Sequence, residues 1–249
     1  MTLILDFGNS SAKWTCYENG KLSPMQRYEY LSSGPDAAID QIVKNVLGEA
    51  ESWREVVFVS VVGEAFDKQF AAALSAQREC HLTQFSAASY QGPIQLAYGN
   101  AKNFGSDRLA AMIAAEKQYA GNRVIVDCGT AVTIDVLDEK ALHLGGLILP
   151  SARLMEESLS QNTHAIETGS QQRVAWLANN TPDAVHSGAH YCLHYGLQGI
   201  LGQLKAELGQ ETTVILTGGG INEKMSREFQ SAEWVPDLVL MGLALWGRR

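Results

Sequence analysis

Short apolar runs closed by turn-forming residues organise the chain, and one such arrangement occurs twice. Thr2 to Asp6 is apolar on both faces up to its terminal carboxylate, the pattern of a strand covered on both sides. Gly8-Asn9-Ser10 then turns the chain. Alternation resumes through Ala12, Trp14 and Cys16, and Glu18-Asn19-Gly20 gives a second turn, so the segment reads as a strand-turn-strand-turn meander. The same order returns as Val124 to Asp127, then Gly129-Thr130-Ala131, then Val132 to Val136, then Asp138-Glu139-Lys140. Each half holds a later apolar strand as well. Val56 to Ser60 runs into Val61-Val62-Gly63 and an amphipathic stretch, and Val214 to Thr217 runs into Gly218-Gly219-Gly220 and another. The pattern predicts a duplicated α/β chain divided into residues 1–118 and 119–249.

Two helices have clear signals. After Gly105 or Ser106 as N-cap, with Asp107 in the first turn, an alanine-rich run continues to Tyr119 and stops at Gly121. This helix is expected to lead from one half to the other. The longest helix is expected from Pro182, favourably placed after Thr181 at a helix start, to about Leu208. No linker is rich enough in Pro, Gly or Ser to act as a flexible tether.

Composition narrows the partners. Apolar residues make up 46% of the 249 residues, enough for a buried core. A formal net charge of -8 argues against a nucleic-acid binder or an anionic-membrane binder, both of which need a basic face. It leaves room for phosphate, which backbone amides can hold. Cys16, Cys80, Cys128 and Cys192 form no Cys-x-x-Cys pair, and scattered cysteines fit a reducing, cytoplasmic setting. The first residues read as a buried strand and not as a targeting segment, and no apolar run is long enough to span a bilayer.

The chemistry points to phosphoryl transfer, which needs donors around phosphates, a divalent ion and an acceptor hydroxyl held in line. Turns of Gly, Asn, Ser and Thr supply N–H groups and small hydroxyls. A carboxylate at the end of the preceding strand can hold a metal, directly or through water. Asp6 and Asp127 occupy that place in matched contexts. Alone, an aspartate before glycine is usually an ordinary turn residue. Two of them, with the triplet Gly218-Gly219-Gly220 after a third strand, make a stronger constellation. The triplet can be a flexible loop or a flat backbone surface that admits a nucleotide. P-loop and dinucleotide fingerprints are absent.

In this combination the sequence resembles the type III pantothenate kinases of the actin/hexokinase/heat-shock-70 superfamily, over essentially its whole length. The motifs that carry the resemblance are Asp6-Phe7-Gly8-Asn9-Ser10 with Lys13, then Tyr98-Gly99-Asn100 and Gly105-Ser106-Asp107-Arg108, then Asp127-Cys128-Gly129-Thr130-Ala131, Asn180-Thr181-Pro182, Leu216 to Gly220, and Pro236 to Val239 with Gly242-Leu243-Ala244. The resemblance implies two ribonuclease-H-like (actin-like ATPase) domains, each a mixed sheet flanked by helices, with the active site in the cleft between them. It implies transfer of the γ-phosphate of ATP to pantothenate, giving 4′-phosphopantothenate, the first step toward coenzyme A. By resemblance, Asp107 accepts the hydroxyl proton, and Tyr98, Gly105, Ser106, Arg108 and Thr181 line the substrate site. Asp6 with Mg²⁺, Gly8, Asn9, Ser10, Ser11, Lys13, Gly129, Thr130, Gly218, Gly219 and Gly220 bind ATP. Asp127 is the site of a monovalent cation, potassium or ammonium, and the family is a homodimer.

The chain departs from that pattern in two places. Pro150-Ser151 stands where the family has Pro-Gly, and Ser151 lacks glycine's access to positive φ, so the turn is expected to differ. Thr163-His164-Ala165 lacks the usual Leu-Pro ending. On the long helix His186, His190 and His194 share a face, read as a polar contact face and not a metal site. Gly188, Gly196, Gly199 and Gly202 suggest close backbone packing in a dimer interface. A related sugar or acetate kinase, or a non-catalytic regulator of the same fold, would share much of this pattern.

Overall fold

Each predicted hairpin seeds one sheet in the computed structural model, which describes residues 1–49, 53–163, 173–229 and 232–247. His164 and Ala165 lie outside that range. In chain order the first half gives β1 (Thr2–Phe7), β2 (Ser11–Glu18), β3 (Lys21–Leu22), β4 (Gln26–Glu29), α1 (Ile39–Glu49), β5 (Glu55–Ser60), α2 (Glu64–Gln77), β6 (His81–Gln84) and α3 (Ser106–Gln118). The second gives β7 (Arg123–Cys128), β8 (Ala131–Leu137), β9 (His143–Pro150), α4 (Ala152–Asn162), α5 (Thr181–Leu208), β10 (Thr213–Thr217), α6 (Glu223–Ser226), β11 (Ala232–Trp234) and α7 (Leu238–Trp246).

The two sheets share one plan. The first runs β3-β2-β1-β5-β6, with β4 also paired to β2; the second runs β11-β10-β7-β8-β9. β1 pairs antiparallel with β2 and parallel with β5, and β7 pairs antiparallel with β8 and parallel with β10. The registers match too. Asp6 stands beside Val59 of the parallel neighbour, as Asp127 stands beside Thr217. The duplication legible in the apolar runs is therefore a duplication of mixed-sheet topology.

The chain forms two compact units. Unit 1 comprises Met1–Ala120, Lys140–Gly145 and Asp237–Arg249; unit 2 comprises Gly121–Glu139 and Gly146–Pro236. The first break falls after α3, and two later stretches belong with the first unit. The reason for the second is packing: α7 lies so close to α3 that a Cβ on Gly242 would sit 1.8 Å from the carbonyl oxygen of Ala110. For the first, backbone bonds tie the stretch down. The N–H of Gln95 donates to Ala141 (3.1 Å), and that of His143 donates to Gln95 (2.9 Å).

In unit 1 the core is aromatic beneath β1. Phe7 meets Phe66 and Phe70 edge-on, with centroids 5.1 and 4.6 Å apart, so the strand end that carries Asp6 is firmly seated. In unit 2, Val124, Val126, Val132 and Leu216 pack against Leu197 and Leu201 of α5. No described helix is long and apolar enough to cross a membrane.

Candidate functional site

Three groups of residues form around the predicted motifs. The first lies at the β1–β2 turn of unit 1. Asp6 is directly opposite Lys13 in the antiparallel ladder, and Lys13 Nζ stands 3.9 Å from an Asp6 carboxylate oxygen. Asp6 and Ser11 are buried, Gly8 and Ser10 half-buried, and Asn9 exposed. The N–H of Gly8 donates to the Ser11 carbonyl (3.0 Å). A residue outside every motif closes this turn. Tyr30 donates its hydroxyl to the Gly8 carbonyl and its N–H to the Ser10 carbonyl (3.0 Å).

The second group is the counterpart in unit 2. The Gly129 N–H donates to the Ala131 carbonyl (3.0 Å), as Gly8 does to Ser11. Asp127 is half-buried at the strand end. The glycine triplet folds over it. Gly218 adopts φ +91°, where its Cβ would meet an Asp127 carboxylate oxygen at 2.3 Å and the Cys128 carbonyl oxygen at 2.5 Å. Gly220 donates its N–H to that carbonyl (2.6 Å). Glycine is thus required at 218 and 220 by contact with the Cys128 carbonyl, and at 218 also by the Asp127 carboxylate, while Gly219 is exposed. The helix that follows, α6, has only four residues. Burial and the neighbouring Asp127 charge push the Cys128 thiol up to about 12, so it stays protonated and unreactive.

Ser151 does not reproduce the glycine turn of the resemblance. It adopts extended φ −66°, ψ 163°, and caps α4 by accepting from the Leu154 N–H. Its hydroxyl donates to the Thr130 carbonyl (2.7 Å). The departure becomes a helix cap that also holds the second turn.

The third group opens α3. Gly105 is the N-cap residue, with no side-chain cap of its own, and the Ser106 hydroxyl instead accepts from the Ala87 N–H (3.0 Å). Asp107 is half-buried, and one of its oxygens accepts from the Arg108 N–H (2.8 Å). A Cβ at Gly105 would stand 2.7 Å from that oxygen, so the glycine leaves room for the carboxylate. A helix start favours the ionised form of such a group. Arg108 is buried, unlike most first-turn arginines, and its guanidinium lies 4.4 Å from the Phe104 ring centroid and 5.9 Å from that of Tyr98, within cation–π range. His143 completes the cluster. It is 1% exposed and stacks on Tyr98 at 6.1 Å, with Phe104 edge-on at 5.2 Å. Neither Tyr30 nor His143 carried a sequence signal, because each reaches its group through a long-range fold contact.

Thr181 belongs to the other unit. It is exposed at the start of α5 in unit 2, next to the Asn180 N-cap that accepts from the Asp183 N–H (2.9 Å). It borders a cavity of about 810 Å³ whose lining also includes Met155, Leu159, Val185, Gly188 and Cys192. Farther along the helix, His186 contacts Glu156 at 2.9 Å and His194 contacts Glu228 at 3.4 Å, while His190 stacks on His194. Among the described residues no three His, Cys, Asp or Glu side chains converge as metal ligands.

The family model described as type III pantothenate kinase matches residues 2–203. A type III pantothenate kinase of Nitrosococcus oceani is 31% identical, over 98% of this chain and 92% of its own. Among solved structures, a Sinorhizobium meliloti protein described as a 2-dehydro-3-deoxygalactonokinase superposes with a TM-score of 0.62 at 15% identity, covering 100% of this chain and 98% of that one. A Campylobacter jejuni protein described as a Baf family transcriptional activator gives 0.61 at 19%, covering 99% and 98%. At those identities the two structures establish the shared two-domain actin-like fold.

Proposed function

The chain belongs to the type III pantothenate kinase family and phosphorylates pantothenate with ATP, the first step of coenzyme A synthesis, and from that premise we propose that Asp107 is the base that receives the hydroxyl proton. The observation that carries this is its setting: a half-buried carboxylate at a helix start, beside a buried arginine, with a glycine at 105 that leaves it room. Arg108, fixed against Phe104 and Tyr98, offers a planar fork for the pantothenate carboxylate. Tyr98, Gly105 and Thr181 bound the substrate. Ser106 acts indirectly, by anchoring the helix start to Ala87. The test is replacement of Asp107 by asparagine.

ATP takes the two turns. Gly8, Asn9, Ser10 and Ser11 with Lys13, and Gly129 with Thr130, contact the phosphates, while Gly218, Gly219 and Gly220 face the adenosine. Asp6 would hold the divalent metal that accompanies the nucleotide. Mg²⁺ usually takes one or two carboxylates together with phosphates and water, and the donor set at Asp6, a single carboxylate at a phosphate turn, fits that habit. When bound, the metal neutralises phosphate charge. Asp127, between the Thr130 turn and the glycine triplet, offers hard oxygen donors suited to potassium or ammonium. In-line positioning and charge stabilisation are the main work of such a site, and the protein's part is to hold the hydroxyl, the base and the turns in place.

The working form is a cytoplasmic homodimer built on α5. Two features support this. Gly188, Gly196, Gly199 and Gly202 have nothing within 4 Å of a built Cβ, so no described part of the chain accounts for them, although interior helix glycines are destabilising by about 0.5–1 kcal/mol each. Beside them, Trp176 is 72% exposed and Leu177 94%, with the indole stacked on Tyr191 at 4.3 Å. Gly199→Leu should shift size-exclusion elution toward the monomer; an unchanged dimer would place the interface elsewhere.

A further inference from the structure

The β1–β2 turn is held from behind by Tyr30. β4 pairs with β2 through Ser11↔Glu29 and Ala12↔Tyr28, which brings the chain alongside Gly8–Ser10 just as the strand ends. Tyr30 then makes two bonds to the turn, hydroxyl to the Gly8 carbonyl and N–H to the Ser10 carbonyl, with its side chain only 1% exposed. A trans peptide is planar, with its C=O and N–H directed oppositely. Fixing the Gly8 carbonyl toward the core therefore turns the Asn9 N–H the other way, on an exposed residue. The second turn carries a comparable device, since the Ser151 hydroxyl fixes the Thr130 carbonyl at 2.7 Å.

We propose that Tyr30 is a positioning residue for ATP, whose hydroxyl sets the plane of the Gly8–Asn9 peptide so that the Asn9 N–H faces the phosphates. This rests on the reading of the turn as an ATP loop. An anion site made of backbone N–H groups works only while their peptides point the same way, and glycine before Asn9 leaves that peptide free to rotate when nothing holds it. Burial, with the nearby Asp6 charge, holds the Tyr30 phenol well above its usual range, so it remains a donor at any working pH. A tyrosine placed only for packing would serve equally well as phenylalanine.

Steady-state kinetics on the full-length Tyr30→Phe protein tests this. The KM for ATP should rise about three- to tenfold, the range expected from one buried hydrogen bond, with the KM for pantothenate unchanged. The thermal stabilisation given by ATP should shrink, read against each protein's own ATP-free melting temperature so that lost stability is not mistaken for lost binding. An unchanged KM for ATP and undiminished ATP stabilisation would overturn the proposal. Lys13→Ala run in parallel separates the two claims. If it raises the KM for ATP while Tyr30→Phe does not, the ATP loop stands and the role of Tyr30 falls. If neither variant affects ATP, the loop reading falls and the proposal with it.

Discussion

Asp107→Asn should lower turnover at least about 100-fold while leaving both KM values near those of the parent, because a positioned general base contributes on the order of 10²–10⁴. The substitution is well suited to the site. Asparagine keeps the shape and keeps an oxygen to accept from the Arg108 N–H, the bond now 2.8 Å long, so the start of α3 should stay intact. What it loses is the ability to take a proton. The lower end of the range is the safer expectation, since phosphoryl transfer passes through a loose transition state in which the attacking hydroxyl is little activated. A 100-fold loss corresponds to about 2.7 kcal/mol of barrier. Single-turnover kinetics would place the loss in the chemical step. Turnover within about threefold of the parent would remove Asp107 from the base role.

Gly242→Ala should destabilise the protein strongly, against the usual rule for helices. Alanine is favoured over glycine inside a helix by about 1 kcal/mol, so propensity alone predicts a gain. Packing decides the other way. The new Cβ would lie 1.8 Å from the Ala110 carbonyl oxygen and 2.5 Å from its carbon, and backbone cannot turn aside as a side chain can. α7 would have to move off α3. Overpacking typically costs 1–3 kcal/mol, and a clash between two helix backbones belongs at or above the upper end, roughly 3 kcal/mol. For a chain of this length that lowers the melting temperature by about 6–12 °C. Because α3 also carries Asp107 and Arg108, turnover should fall with stability. A melting temperature at or above that of the parent would show that the two helices have room to spare.

The legible parts of this protein are those fixed by local chemistry. Asn19 and Gly20 take φ values of 51° and 88°, the conformation their sequence favours at a two-residue hairpin turn. Thr181-Pro182 starts the long helix as expected, since proline suits the first turn, and the helix ends at Leu208 before Gly209 with φ +104°. The paired Asp-x-Gly turns were readable because the same strand and turn residues recur in order. The glycine triplet was readable as a feature, but its cause was not. Gly218 and Gly220 are pressed by the Cys128 backbone, and Gly218 also by the Asp127 carboxylate, of a strand some ninety residues earlier.

Long-range contacts supplied the rest. Nothing near Tyr30 marks it as the residue that closes the turn 22 positions before it. His143 reaches Tyr98 only because Lys140–Gly145 folds into unit 1 while the strands on either side of it continue in unit 2. The same applies to the C-terminal helix, whose sequence shows an apolar run but not its partner. Arg108 is expected at the substrate site by resemblance, but nothing in the sequence shows its burial beside two aromatic rings gathered by the fold. Ser151 replaces a glycine turn with a helix cap, a substitution that sequence could flag but not interpret.

The most direct test is ADP release by the purified protein, supplied with Mg²⁺ and ATP, with and without pantothenate and with and without potassium. Turnover should require pantothenate, yield 4′-phosphopantothenate in equal amount with ADP, and increase with potassium. ADP release indifferent to pantothenate, or no release under any of these conditions, would contradict the assignment of this site to pantothenate phosphorylation.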